Sequence, residues 1–197
     1  MAKVKAVIFD MDGTVADTLA SIAGFGNAAL KAHGYPEIET ERYRRLVGNG
    51  ADVLMRRMLD AVSAQPYTEA DVQALRATYD ALYESDPTRL VAPYPGIPAL
   101  LRDVRDAGVK TAVLSNKPDN MTRFIAGALF PGLFDIVHGQ RAGVPKKPDP
   151  AAVFEICEAL GVRPAECLYV GDSGVDMQTG ANAGMPTAGV TWGFRGA

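Results

Sequence analysis

The sequence predicts an α/β fold, a doubly wound parallel sheet interrupted just after its first strand by an α-helical insertion. Three observations carry this. Val7, Ile8 and Phe9 form an unbroken apolar run ending at Asp10, as in a central strand covered on both faces. From about residue 95 onward, short apolar strands alternate with amphipathic helices, the pattern of parallel crossover units. Between these regions the chain reads as helix after helix with no convincing strand. The expected division is therefore an α/β core of residues 1–15 and 95–197 and a helical unit of residues 16–94.

Each element has its own signal. Residues 17–32 place Leu19, Ile22, Ala23, Ala29 and Leu30 at helical spacing, and Gly34 supplies a stop. The segment ADVLMRRMLDAV sets Leu54, Met55, Met58, Leu59 and Val62 on one stripe. In TEADVQALRATYDALY, Thr68 and Asp71 form a capping pair ahead of Val72, Leu75, Tyr79 and Leu82. VAPYPGIP, with Pro93, Pro95, Gly96 and Pro98, reads as a linker. A helix over 98–107 then stops at Gly108 and gives way to the strand KTAVLSN. A helix over about 119–129 precedes the strand FDIVHG, and a helix over 150–160 leads into CLYVGD. A short helix around 174–183 and the strand PTAGVTW complete the alternation.

Bulk properties exclude several classes. The 197 residues suit one large domain or a core with a smaller insert. A content of 48% hydrophobic and 22% charged residues suits a globular chain with a sizeable core. The net charge of −3 and pI of about 5.4 give no electrostatic basis for binding nucleic acid or an anionic membrane. No apolar run approaches the ~20 residues of a membrane span, and residues 6–9 are too short for a signal peptide. Cys157 and Cys167 have no metal-type spacing and read as core thiols in a reducing, cytoplasmic setting. His33 and His138 are too distant for a zinc site. GFGNAA, residues 24–29, lies within a helical pattern and reads as a helix with two glycines rather than a dinucleotide-binding turn.

The strand ends carry the chemistry. Side chains two apart on a strand point the same way, so Asp10 and Asp12 converge beyond β-strand residues 7–9. Two carboxylates so close raise each other's pKa, so either a cation binds there or one acid keeps its proton. Ligands of such sheets bind beyond the carboxyl ends of the strands. Those ends and adjacent loops add Leu114-Ser115-Asn116, Lys146-Lys147-Pro148-Asp149-Pro150 and Gly171-Asp172-Ser173-Gly174-Val175-Asp176.

The segments DMDGT, LSN, KKPDP and GDSGVD resemble the four motifs of the haloacid dehalogenase-like hydrolase superfamily, and the helical insertion resembles its α-helical cap. The likeness spans essentially the whole chain. It implies a Rossmann-like core and a Mg2+-dependent phosphomonoester hydrolase working through an aspartyl-phosphate. By that likeness Asp10 is the nucleophile, and Asp12 serves as general acid and then general base. Ser115 and Lys147 stabilise the transferring phosphoryl group, and Asn116 is expected at the substrate. Lys147 is preferred to Lys146 because the family motif has lysine directly before proline, and Asp149 reads as a helix cap. Mg2+ is expected on Asp10, Asp172 and the carbonyl of Asp12, with Asp176 orienting the metal's waters or Lys147 from behind.

LVGNG, residues 46–50, resembles the cap loop of phosphoglycolate phosphatases, which places Gly48, Asn49 and Gly50 at the substrate. The expected substrate is 2-phosphoglycolate or a similar small phosphorylated metabolite. A β-phosphoglucomutase-like phosphotransferase is the enzymatic alternative, and a phospho-acceptor signalling module the alternative from another class. Asp12 and the insertion argue against the module, whose phosphate should persist. A dehalogenase has no use for Asp12, and a phosphonoacetaldehyde hydrolase needs a cap lysine that LVGNG lacks. The expected partner is a small-molecule phosphate ester, with no nucleic acid or membrane, in a monomer or homodimer. Family members usually continue past the position of Ala197 through another helix and strand, which would cover a sheet edge.

Overall fold

A computed structural model describes residues 4–195. The first strand, β1 (Ala6–Phe9), is buried along its whole length because both of its faces are apolar. The chain then passes through a two-residue strand, β2 (Ala16–Asp17), into four helices. These are α1 (Leu19–Ala32), α2 (Tyr43–Leu46), α3 (Ala51–Val62) and α4 (Glu69–Ser85). It returns through β3 (Ala92–Pro93), which pairs antiparallel with β2. The outgoing and returning strands of the helical cap are thus fastened side by side.

The remaining chain alternates through α5 (Ile97–Asp106), β4 (Lys110–Pro118), α6 (Asp119–Leu129), β5 (Ile136–Gln140) and α7 (Ala151–Leu160). It ends with β6 (Cys167–Gly171), α8 (Gly174–Asn182) and β7 (Thr187–Gly189). The sheet runs β5-β4-β1-β6-β7, with every neighbouring pair parallel. Phe9 registers with Val113 on one side and Val170 on the other, so β1 and β6 end nearly level while β4 runs on past them to Pro118. The strand order reverses at β1, which puts a ligand crevice beyond Phe9.

Period-two alternation separates the two layers of the core. Val7 and Phe9 face α5, α6 and the cap through Leu101, Ile125, Leu54 and Tyr83. Ala6 and Ile8 face α7 through Val153 and Ile156. Among the described residues no helix is long and apolar enough to cross a membrane.

Thr68 and Asp71 form the capping box that starts α4, as the sequence predicts. The β2–β3 ribbon was not predicted: strands of two residues show no side-chain alternation, and they pair through backbone alone. β4 runs two residues past the expected end, through Lys117 and Pro118, with its register to β5 shifting after Leu114.

The two glycines of α1 have opposite reasons for being there. Gly24 is exposed and has open space around it. A methyl group on Gly26 would lie 2.5 Å from the hydroxyl oxygen of Tyr43, a fully buried residue. That hydroxyl donates to Asn27 Oδ1 at 2.9 Å, and Asn27 also bonds the backbone of Ile38 through both its amide groups, pinning the α1–α2 connection. Gly24→Ala should therefore raise stability by about 0.5–1 kcal/mol through helix propensity. Gly26→Ala should lower it by about 1–3 kcal/mol, because Tyr43 must give way. Urea unfolding of both variants checks this; equal signs would refute the packing role of Gly26.

Candidate active site

Lys147 is the centre of the site. Its Nζ donates to Asp10 Oδ1 at 2.7 Å, to Asp176 Oδ1 at 2.7 Å and to the Leu114 carbonyl at 3.1 Å. Its side chain is 4% exposed, so all three of its N–H donors are spent inside the protein. Asn116 holds the backbone of Lys147 in place: Asn116 Oδ1 accepts from the Lys147 N–H at 2.9 Å, and Nδ2 donates to its carbonyl at 3.2 Å. Lys146 points the other way, toward Asp52 of the cap at 3.8 Å.

Asp10, Asp172 and Asp176 gather at the ends of β1 and β6, each offering a carboxylate oxygen within 4.8 Å of the others. Asp176 begins α8 in a capping box with Ser173, accepting from Ser173 Oγ at 2.5 Å while its other oxygen takes Lys147. Asp172 Oδ2 accepts from the Phe194 N–H at 2.7 Å. Gly13, at φ +86°, lets the loop after β1 cross directly over Asp172, and any side chain there would overlap that carboxylate.

Asp10 and Asp176 share one ammonium, and Asp172 lies beside them. Burial pushes the Asp10 carboxyl well above the usual carboxylate range; Lys147 opposes this, while Asp176 and Asp172 add to it. Burial also raises Asp172, against the lowering effect of the Phe194 N–H bond. Burial alone would lower Lys147, but the charges of Asp10 and Asp176 outweigh it and hold its pKa well above the ordinary value. The crowding of three carboxylates and the all-oxygen donor set fit a hard divalent cation such as Mg2+, making this a metal-binding cluster.

Asp12 stands apart from that cluster. Its Oδ1 accepts from Thr18 Oγ1 at 2.8 Å and from Lys117 Nζ at 3.3 Å, and its Oδ2 lies 3.4 Å from the same nitrogen. The two acids of the first motif therefore have separate lysines. Ser115 is buried on the cleft wall, its Oγ accepting from the Lys117 N–H at 3.2 Å. The cleft, of about 450 Å³, is lined by Asp10, Asp12, Ser115, Asn116, Lys147 and Asp172 on the core side. Gly48 and Gly50, both in the left-handed region at φ +111° and +86°, line it from the cap.

Asp176 lies beside Asp10 and Asp172 with its oxygens on Ser173 and Lys147, the second being the contact expected of it. One placement differs from the expectations. Asn49 does not line the cleft; its side chain accepts from Arg57 Nη2 at 2.9 Å. Arg57 Nη1 also donates to the Leu46 carbonyl at 2.9 Å, and Arg195 Nη2 donates to the Val47 carbonyl at 2.6 Å, so these arginines brace the loop. Sequence reasoning missed Lys117, although it lies two residues beyond Ser115 on the same strand and so shares its face.

A family model described as haloacid dehalogenase-like hydrolase matches residues 4–184. The chain belongs to this family. It is 37% identical over 198 residues to a phosphoglycolate phosphatase of Pseudomonas putida, covering 95% of this chain and 70% of that one. It is also 33% identical over 200 residues to an N-acetylmuramic acid 6-phosphate phosphatase of Pseudomonas aeruginosa, covering 98% and 84%. Among solved structures, a candidate phosphoglycolate phosphatase from Lactobacillus delbrueckii subsp. bulgaricus superposes with a TM-score of 0.94 at 33% identity, covering 99% and 89%. The hydrolase thus has a helical cap and an acidic, metal-binding cluster at the end of its central strand.

The raised carboxyl groups set a sign for pH dependence. In the metal-free hydrolase, Asp10 and Asp172 hold protons in the folded state that the unfolded chain has already lost above about pH 3.9. Metal-free stability should therefore fall as pH rises from about 4 through their raised folded values. Binding of Mg2+ requires the carboxylates, so the increase in melting temperature on adding Mg2+ should grow with pH. Melting scans from pH 5 to 8, with chelator and with Mg2+, check this; a Mg2+ shift that stays constant or shrinks with pH would contradict it.

Proposed function

We propose that this hydrolase cleaves phosphomonoesters with Mg2+ through an aspartyl-phosphate, and that its substrate is 2-phosphoglycolate or a similarly small phosphorylated metabolite. The observation that carries this reading is the separation of the two acids: Asp10 is held by Lys147 beside the carboxylate cluster, whereas Asp12 is held by Lys117 and Thr18. One is equipped to attack and the other to move protons.

In this reading the free oxygen of Asp10 attacks phosphorus, and an Asp–O–P bond forms as the ester P–O bond breaks. Asp12 gives its proton to the departing alkoxide. Water then attacks the acyl phosphate while Asp12 takes its proton, releasing inorganic phosphate and restoring Asp10. The Ser115 hydroxyl, whose proton is free, lines the cleft where it can donate to an oxygen of the transferring group, and Lys147 holds Asp10 in place and adds its buried positive charge nearby. When bound at Asp10 and Asp172, Mg2+ supplies the positive charge that lets a carboxylate approach a phosphate dianion. Asn116, by gripping the backbone of Lys147 and reaching the Gly48 carbonyl at 3.4 Å, keeps lysine and cap loop in register.

The small substrate is supported by the cleft, closed on the cap side by the glycine loop, and by relatives that carry the name phosphoglycolate phosphatase. Phosphate release across a panel of monoesters tests the reaction and ranks substrates. Asp10→Asn should abolish turnover and the trapped phosphoryl adduct together. Asp12→Asn should cost about 10²–10⁴-fold with alkyl phosphates and much less with aryl phosphates, whose leaving groups need no proton. Equal losses across the leaving-group series would remove Asp12 from the acid role.

A further inference from the structure

Beyond Asp12 the cleft opens into a second hollow between core and cap, of about 410 Å³, walled by Ile22, Leu54, Met121 and other apolar groups. Among the described residues Lys117 is the only cationic one lining it, and its side chain is 5% exposed. Its Nζ sits 4.5 Å from the ring centroid of Tyr83 in the cap and beside Asp12, which also lines both hollows. Tyr79 borders the same space. It is 5% exposed, and its side chain lines the hollow, where the hydroxyl is placed to donate to a ligand acceptor.

We propose that Lys117 and Tyr79 form the subsite for a carboxylate at the non-phosphate end of the substrate. This rests on the phosphomonoesterase reading given above. Geometry sets the length of the ligand. A leaving oxygen within hydrogen-bond reach of Asp12, about 3 Å, lies no more than about 6–7 Å from Lys117 Nζ, which is 3.3 Å from Asp12. A carboxylate one or two carbons from the ester oxygen spans that distance and still receives a charge-assisted bond from the ammonium. The substrate class is therefore a short phosphorylated hydroxy acid. Among the described residues that line the hollow there is no second cation. The apolar walls strengthen the pairing by excluding water.

The test compares 2-phosphoglycolate with its uncharged amide, 2-phosphoglycolamide, as substrates of the Mg2+-loaded enzyme. Wild type should favour the acid by at least about tenfold in kcat/KM. Lys117→Gln should erase most of that preference, chiefly through KM for the acid, and Lys117→Arg should restore part of it. Tyr79→Phe, which removes only the hydroxyl, should cut the preference about threefold while leaving the melting temperature near that of wild type. Equal losses for both esters in Lys117→Gln would make Lys117 a support for Asp12 alone and overturn the subsite, as would a wild type indifferent to the two. If wild type released phosphate from no monoester, the reaction reading would fail by itself. Calorimetric binding of the two compounds to Asp10→Asn would then decide the subsite separately: tighter binding of the acid, lost on adding Lys117→Gln, upholds it, and equal binding overturns it.

Discussion

A single buried ammonium shared by buried carboxylates is the constraint on which the rest of the structure depends. Lys147 Nζ reaches Asp10 at the end of β1 and Asp176 at the start of α8, so one side chain joins the central strand, the last core helix and the loop that carries the lysine. Deleting the lysine would leave two buried carboxylates without their counter-charge, at a cost of about 3–5 kcal/mol. The surroundings are arranged to keep the pair intact. Asn116 grips the lysine backbone, Ser173 caps α8 through Asp176, and Tyr169 packs beneath with Lys147 5.9 Å from its ring centroid. Even so, three carboxylates against one ammonium leave the site electrostatically unsettled. The fold accepts this instability because a divalent cation resolves it, a familiar exchange of stability for function.

The cap is the second half of the design. It leaves the core immediately behind Asp12 and returns beside its point of exit, through the β2–β3 ribbon. The ribbon and the bond from the Tyr94 N–H to the Val15 carbonyl fasten the two ends of the cap at that junction. The contacts that hold the closed arrangement come from both sides: Asn116 to the Gly48 carbonyl, Arg195 to the Val47 carbonyl, Arg44 to the Gly193 carbonyl, and Lys117 against Tyr83. Most of them end on the loop of residues 46–50 or near it.

Most of the architecture was readable from local pattern. The helices over residues 51–62 and 119–129 stand where their apolar stripes predict, and the Thr68–Asp71 cap and the order of strand-end motifs follow from residues close in sequence. What escaped was short or indirect. The β2–β3 ribbon has too few residues to show a period. Asn49 looks like a ligand-facing residue of a glycine loop, yet it turns to Arg57, a contact formed only when α3 folds back on that loop. Lys117 stands one position past the LSN motif and has no motif signal of its own; strand periodicity alone places it on the same face as Ser115.

The sequence by itself determined the fold class, the insertion after the first strand and the set of groups brought to the carboxyl ends of the strands. Hydrophobic periodicity, caps and turn residues act over a few positions, and a parallel sheet delivers every strand end to the same edge. Only the tertiary structure decided which charge meets which. Lys147 and Asp10 are 137 residues apart, and Lys117 and Asp12 are 105 apart. No local pattern encodes those distances. They are set by the register of β4, β1 and β6 and by the loops beyond them, which turn Lys147 inward and leave Lys146 on the cap side. The same packing gives Asp176 both the helix cap and the lysine, and it leaves the Tyr79 hydroxyl facing a hollow that exists only when cap and core come together.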